Sequence, residues 1–385
     1  MRYIYADQAA TTRLSREARN VYIRLADQVY GNPSSLHAPG QEAAGILSEA
    51  RAATAHCLGA LPEEVYFTSG GSESNNQAVY SAIEYGKKIG KKHIVSTQIE
   101  HHSVLNALKR ARQEGFSVTL AAPGPDGIVT PGSVAAALTP DTCFVSVMYA
   151  NNEIGTLQPV SEIGDLCRSR GILFHTDAVQ AAGHVPVNLE KLQADMLSLS
   201  AHKFHGPKGV GALYARKGTP LSSFMEGGSQ EGGKRAGTQN VPGIAAMAAA
   251  LSEAVDHLEE NMDHVREMRD ALLMELLQIP DAYLNGSPDK RLPGNINLCI
   301  EGLQSESLML LLDSRGIGVS AGAACASGSL DPSHVLTAIG LPGDKAHASV
   351  RISLDTDNTM EEVRRIASEI KECTRILRNI AGSGK

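Results

Sequence analysis

Apolar and polar positions along this chain follow two rhythms, and the rhythm switches repeatedly. Short runs rich in β-branched and aromatic residues, at 65–68, 93–96, 117–121, 142–149 and 172–176, predict strands. Between and before them, stretches with a helical apolar stripe predict helices at 41–58, 72–85, 101–113, 133–138 and 160–170. Strands at 195–199 and 210–215 close the series. Strands alternating with helices predict an α/β fold class: a mostly parallel sheet with helices on both faces. In such sheets ligands bind at the carboxyl ends of the strands.

From 243 to 278 the pattern becomes one long Ala-, Glu- and Met-rich helix with a break, leading into a second unit. There the pattern predicts strands at 293–300 and 349–354, a helix at 305–314 and an amphipathic closing helix at 360–380. This smaller α+β unit is expected to pack with the N-terminal arm, an extended segment ending in the polar turn Asp7-Gln8-Ala9-Ala10-Thr11-Thr12. The expected division is a large domain over 16–255 and a small domain from 1–15 and 256–385, carrying a loop at about 320–332.

Composition narrows the function. With 385 residues, 42% hydrophobic and 20% charged, the chain can bury a sizeable core. A net charge of −7 gives no basic footprint for nucleic acid or an anionic membrane. No apolar leader precedes Asp7 and no apolar run is long enough to span a bilayer, so the expected location is cytoplasmic. The six cysteines, Cys57, Cys143, Cys167, Cys299, Cys325 and Cys373, show no C-x-x-C spacing, so reduced thiols are expected and no metal site. Five sit in apolar or helical settings. Cys325 sits in a run of Ala, Gly and Ser with no large apolar anchor, a composition that predicts a mobile loop.

Four polar constellations fall at predicted strand exits. Gly70-Gly71-Ser72 would let the backbone approach an anion at a helix N-terminus, though an ordinary βα turn capped by Ser72 reads the same. His101, in Glu100-His101-His102-Ser103, could stack on a planar cofactor and move protons; alone it reads equally as a solvated helix start. Asp177 follows an apolar strand, where a carboxylate needs a partner such as a protonated ring nitrogen, or else caps a helix. Gln180 lies three residues further on. Lys203 sits in Ser200-Ala-His-Lys-Phe-His-Gly-Pro-Lys-Gly209, between two predicted strands. A lysine that forms a Schiff base must lose its proton, which needs a partly desolvated pocket; a solvated turn lysine is the plain alternative. Asp then Lys at successive strand ends is the arrangement pyridoxal phosphate enzymes require.

The motifs S-x-H-K-x-x-G-P-K-G and upstream H-x-D-A-x-Q resemble the class V, fold-type I pyridoxal phosphate enzymes. Thr68-Ser-Gly-Gly-Ser-Glu-Ser-Asn75, Asn151-Asn-Glu-Ile-Gly155, Arg235-Ala-Gly-Thr238 and Ser320-Ala-Gly-Ala-Ala-Cys325 narrow the resemblance to cysteine desulfurases of the NifS/IscS type. The likeness runs in order over nearly the whole chain. It implies that Lys203 holds pyridoxal 5'-phosphate covalently, Asp177 keeps its ring nitrogen protonated, Gln180 bonds its ring hydroxyl and His101 stacks on it. It further implies that Gly71, Ser72, Ser200 and His202 hold the phosphate, with Thr238 reaching the phosphate of the other subunit of a homodimer. Asn152 and Arg351 match positions that receive the carboxylate of L-cysteine, a role suited to a guanidinium fork. Cys325 is implied as the thiol that takes sulfur as a persulfide, releases L-alanine, and passes the sulfur to an acceptor protein, an iron–sulfur scaffold or a thiotransferase.

The sequence departs from the family in three places. The loop reads S-A-G-A-A-C where S-S-G-S-A-C is frequent, Gln8 fills a variable place in the arm, and the longer tail that housekeeping members use to hold a scaffold is not expected here. Selenocysteine lyase and class V aminotransferase are the alternative activities, and Cys325 argues against the second. A catalytically idle fold used as a binding module would have lost Lys203, Asp177 or Cys325; all three are present.

Overall fold

The computed structural model describes residues 3–321 and 331–382. In chain order the strands are β1 (Ile4–Tyr5), β2 (Val65–Thr68), β3 (His93–Thr97), β4 (Ser117–Ala121), β5 (Thr142–Ser146), β6 (Leu173–Asp177), β7 (Met196–Ser200) and β8 (Gly211–Ala215). They continue with β9 (Ala282–Leu284), β10 (Asn295–Ile300), β11 (Ile317–Gly318), β12 (Ser320–Ala321) and β13 (Ser349–Ser353). A seven-stranded sheet has the order β2-β8-β7-β6-β5-β3-β4. All its pairings are parallel except those of β8, which lies antiparallel between β2 and β7. Because β8 alone reverses, β2, β3, β6 and β7 point the same way and bring their carboxyl ends to one edge. Strands β3, β5, β7 and β8 are buried at every position, as expected of a sheet covered by helices on both faces.

A second, four-stranded antiparallel sheet has the order β12-β13-β10-β9, and β1 pairs parallel with β11 beside it. Its own apolar core gathers Ile4, Leu272, Ile296, Leu298, Val350, Ile352 and Ile366. Leu298 is fully buried there, so truncating it to Ala would cost about 2–5 kcal/mol. The arm packs with this unit, as the sequence predicts. The long helical stretch is two helices, Val241–Asp256 and Leu258–Leu276, broken at His257, whose ring bonds the Glu253 carbonyl at 3.0 Å.

Several elements have no counterpart in the sequence reading, among them a helix and an edge strand. The helix Arg16–Gln28 is capped by Ser15, whose Oγ accepts from the Ala18 N–H at 3.1 Å. β9 is a short edge strand on β10. β5 ends at Ser146 rather than 149; beyond it the Val147 and Tyr149 N–H groups donate to the His175 and Asp177 carbonyls as the chain turns into the site.

Candidate active site

The shared edge of the large sheet fixes the site. Asp177 is the last residue of β6. His101 follows β3 and caps the helix His102–Gln113 through its ring. Lys203 ends the single turn Ala201–Lys203 directly after β7. Gly70, with φ of 149°, caps the helix Gly71–Ile89 and supplies no side-chain cap, so Ser72 is a first-turn residue and not the cap. Gly71 has a packing reason: a Cβ there would come within 2.5 Å of Val179 Cγ2. These residues converge on one cavity of about 560 Å³, whose walls also include Asn152, Gln180, Ser200, His202 and Arg351. Ten of the twelve sequence-predicted site residues therefore meet there. Thr238 does not: it is exposed and outside the walls of its own chain's cavity. Cys325 lies outside the described residues, as does most of its predicted loop; Ser320–Ala321, at the start of that loop, form β12 instead.

One hydrogen-bonded chain organises the floor. Both N–H groups of Asn75 Nδ2 are used, one toward Asp177 Oδ2 at 2.6 Å and one toward Ser103 Oγ at 2.9 Å. Ser103 Oγ reaches His101 Nδ1 at 2.8 Å, and the Ser103 backbone N–H donates to the same nitrogen at 3.1 Å. Nδ1 is thus an acceptor, which puts the proton of the neutral ring on Nε2. Burial lowers the His101 pKa, helped by the charges of Lys203 and His102 and opposed by Asp177, so the neutral form is the resting one. Asp177 Oδ1 accepts from the Val179 N–H at 2.9 Å. Both of its partners are neutral, which suits it to a cationic ring nitrogen.

The arm forms the opposite wall. Lys203 Nζ donates to the carbonyls of Ala9 at 2.6 Å and Ala10 at 2.8 Å. Gln180 Nε2 donates to the same Ala9 carbonyl at 2.9 Å. The Lys203 carbonyl accepts from His184 Nε2 at 2.8 Å. His202 lies 3.1 Å from Thr11 Oγ1, and burial plus the charges of Lys203 and Lys208 push its pKa down to about 4. Among these protein groups alone its ring is therefore neutral at pH 7.

Arg351, on β13, is 1% exposed. Its Nη1 donates to the Asn152 carbonyl at 2.9 Å and its Nη2 to Asp7 Oδ1 at 2.7 Å. Asn75, Ser103 and Asp7 are site residues the sequence reading does not single out. Helical spacing offers a signal for Asn75, four residues after Gly71 and so on the same face. No local pattern points to Asp7.

The donor set fits one cofactor. An uncapped helix N-terminus receives an anion. A buried carboxylate with neutral partners lines the same cavity, and a lysine amine donates to two backbone carbonyls. The α/β fold with this set defines a fold-type I pyridoxal phosphate enzyme. The chain belongs to the aminotransferase class-V family, whose sequence model matches residues 4–366, and members of this family use pyridoxal phosphate. Among its curated relatives, the cysteine desulfurase IscS of Methanosarcina thermophila is 44% identical, covering 98% of this chain and 93% of that protein. The cysteine desulfurase IscS of Dictyoglomus turgidum is 43% identical over 99% and 96%. A solved NifS-like protein superposes with a TM-score of 0.92 at 38% identity, over 97% of this chain and all of that one. SspA, solved in complex with cysteine, gives 0.81 at 33% identity over 91% and 99%.

Proposed function

We propose that this chain is a pyridoxal phosphate-dependent cysteine desulfurase that converts L-cysteine to L-alanine and places the sulfur on Cys325 as a persulfide. One observation carries the reading: Lys203, Asp177 and Arg351 open on the same cavity, so amine chemistry and a carboxylate receptor share one space. Lys203 would hold the cofactor. Asp177 would face its ring nitrogen, Gln180 its hydroxyl, and Gly71, Ser72, Ser200 and His202 its phosphate, with His101 against the ring. When bound, the cofactor supplies an electron sink for charge developing at the substrate Cα.

The protein's own groups do the rest. Arg351 and Asn152 orient the substrate carboxylate. The Ala9 and Ala10 carbonyls receive the ammonium form of Lys203, so Nζ can take up the Cα proton and be held as a cation. His101, its Nδ1 fixed by Ser103, exchanges protons through Nε2. The Cys325 thiolate attacks the substrate sulfur. One C–S bond breaks, one S–S bond forms, and the carbon skeleton gains the proton that completes L-alanine. Cysteine plus enzyme thiol gives alanine plus enzyme persulfide, and no outside oxidant is needed.

The five described cysteines are free, and burial pushes each thiol pKa up, Cys143 to about 11 and Cys167 to about 12. Their burial supports the role that the family likeness implies for Cys325, that of sulfur carrier. Thr238 supports a homodimer: an exposed residue outside its own cavity is free to serve a partner's. Its segment is clamped by Arg51 on Glu231 at 2.7 Å and by Arg235 on Glu73 at 2.9 Å. We assign 16–255 to the large domain and 1–15 with 256–385 to the small one, the second apolar core supporting the division. The sulfur goes to an acceptor protein, an iron–sulfur scaffold or a thiotransferase. Among the described residues no helix is long and apolar enough to cross a membrane, in keeping with a cytoplasmic enzyme.

The test is mass spectrometry of the holoenzyme after brief exposure to L-cysteine, with alanine assayed alongside. One added sulfur on the peptide holding Cys325, lost in Cys325→Ser together with alanine formation, is expected. Persulfide on another cysteine, with Cys325→Ser still active, would overturn the assignment.

A further inference from the structure

Arg351 is held on two of its three guanidinium nitrogens. Nη1 serves the Asn152 carbonyl and Nη2 serves Asp7, while Nε is buried and has no acceptor. Nε and Nη2 share one edge of the planar group, the edge that takes a carboxylate side-on through two parallel N–H···O bonds. Asp7 is bonded to only one donor of that edge, so the fork is half filled.

Asp7 cannot drift from this place. It bridges Ser353 in parallel fashion, two residues beyond Arg351 on β13. Around it the Ser353 N–H donates to the Ala6 carbonyl at 2.9 Å and the Gln8 N–H to the Ser353 carbonyl at 3.2 Å. The Ala9 N–H donates to Ser353 Oγ at 2.9 Å. Arg351 lines the cavity with Lys203, and Asp7 is not among its walls. The carboxylate therefore reaches the guanidinium from outside the substrate space.

We infer that Asp7 is a positioning residue that sets the strength of substrate-carboxylate capture: a fixed counter-ion that orients Arg351 and cancels its net charge. The inference rests on Arg351 being the carboxylate receptor, as proposed above. A buried arginine without a counter-ion would hold any carboxylate tightly, product as well as substrate. With Asp7 beside it, the incoming carboxylate gains hydrogen bonds but also meets a like charge. Cysteine and alanine carry the same carboxylate, so Asp7 loosens both by the same factor and keeps product from lingering. This is uniform binding, visible in KM and in product affinity and not in kcat.

The experiment is calorimetric titration of the holoenzyme with L-alanine, with cysteine kinetics in parallel. Asp7→Asn keeps an oxygen for Arg351 Nη2 and removes the charge; Asp7→Ser removes the charge with a shorter side chain. Both should bind L-alanine more tightly by roughly five- to tenfold and lower KM for cysteine by a similar factor, with kcat no higher than in the parent. A merely structural anchor predicts the opposite sign. Weaker or unchanged alanine binding in both variants overturns the inference. Arg351→Ala separates the two levels. If it binds L-alanine like the parent, the carboxylate-receptor reading itself falls. If it loses alanine while the Asp7 variants do not tighten, the role of Asp7 alone falls.

Discussion

The carboxyl edge of the seven-stranded sheet and the N-terminal arm close on the same lysine from opposite sides, and they are made differently. The edge is built from strand ends and helix starts. Its functional groups are placed first by residues next to them in sequence, as Asp177 is by ending β6 and His101 by capping its helix through Ser103, and Asn75 then ties the two together from a neighbouring helix. The arm works through backbone carbonyls and through pairing with residues hundreds of positions away, Ser353 above all. The edge tolerates little change in side-chain chemistry. Apart from Asp7, the arm should tolerate side-chain change and resist changes that move its backbone.

The sharpest break in this comparison is Lys203→Ala. Turnover should fall to background and borohydride should trap no lysine adduct; a surviving adduct would mean another lysine holds the cofactor. Asp177→Asn should keep part of the cofactor but lose activity on the order of 10²-fold, since an amide cannot balance a ring cation. Near-parent turnover would remove Asp177 from the ring nitrogen. Asn75→Ala leaves the Asp177 carboxylate and the Ser103 hydroxyl each short of a buried donor. Its kcat should fall about tenfold with KM little changed. An unchanged kcat would show that the chain from Asp177 to His101 is structural only.

On the arm side the effects are smaller. Thr12 Oγ1 donates to the His202 carbonyl at 3.1 Å and accepts from the His205 N–H at 2.8 Å. Thr12→Val should lower stability by about 1 kcal/mol and leave kcat close to the parent's, read by urea unfolding and steady-state kinetics. A large loss of kcat would place the arm's side chains in the chemistry.

The smallest effect concerns pH. His205 Nε2 lies 3.1 Å from Asp355 Oδ2. Burial works against the imidazolium, but the hydrogen bond to Asp355 and the charges of Asp355 and Asp357 outweigh it and raise its pKa from 6.5 to about 9. Asp355 is held below its ordinary 3.8 because the His205 bond and nearby histidine charges outweigh burial. A raised histidine pKa gives stability that is full below pH 6.5 and lost as pH rises through about 9. The lowered carboxyl gives stability that is present above 3.8 and lost as pH falls through its folded value. The melting temperature should therefore decline between pH 6.5 and 9, and His205→Asn should flatten that decline. An equal decline in both proteins would show that the pair does not set the alkaline limit.

The same contrast explains what could be read from the sequence. The sheet strands were legible because each is a short apolar run between turn signals, and the motifs at their exits lie within a few residues of one another. The family likeness then brought Asn152 and Arg351 to the same site, which spacing alone could not do. Helix Arg16–Gln28 is hard to see because only Ala18 and Leu25 are buried on it, so its apolar stripe is thin. Asp7 and the Ala9 and Ala10 carbonyls were not legible at all. A backbone carbonyl has no sequence signature, and the Asp7 partner lies on β13 near the other end of the chain.

The pairing of the arm also has a consequence for the order in which the molecule assembles. Ile4 and Tyr5 pair with Ile317 and Gly318, and Tyr3 Oη donates to Asp313 across 310 positions of sequence. The arm leaves the ribosome some 310 residues before its partner and must wait for it before it can dock. At about 5–20 residues per second that wait is tens of seconds, and closing so long a loop is slow in refolding too. The large sheet can form meanwhile, with the carbonyls that receive Lys203 Nζ still absent. In a refolding experiment, secondary structure should return before the enzyme gains the competence to retain its cofactor, and the lag between the two should measure the docking of the arm.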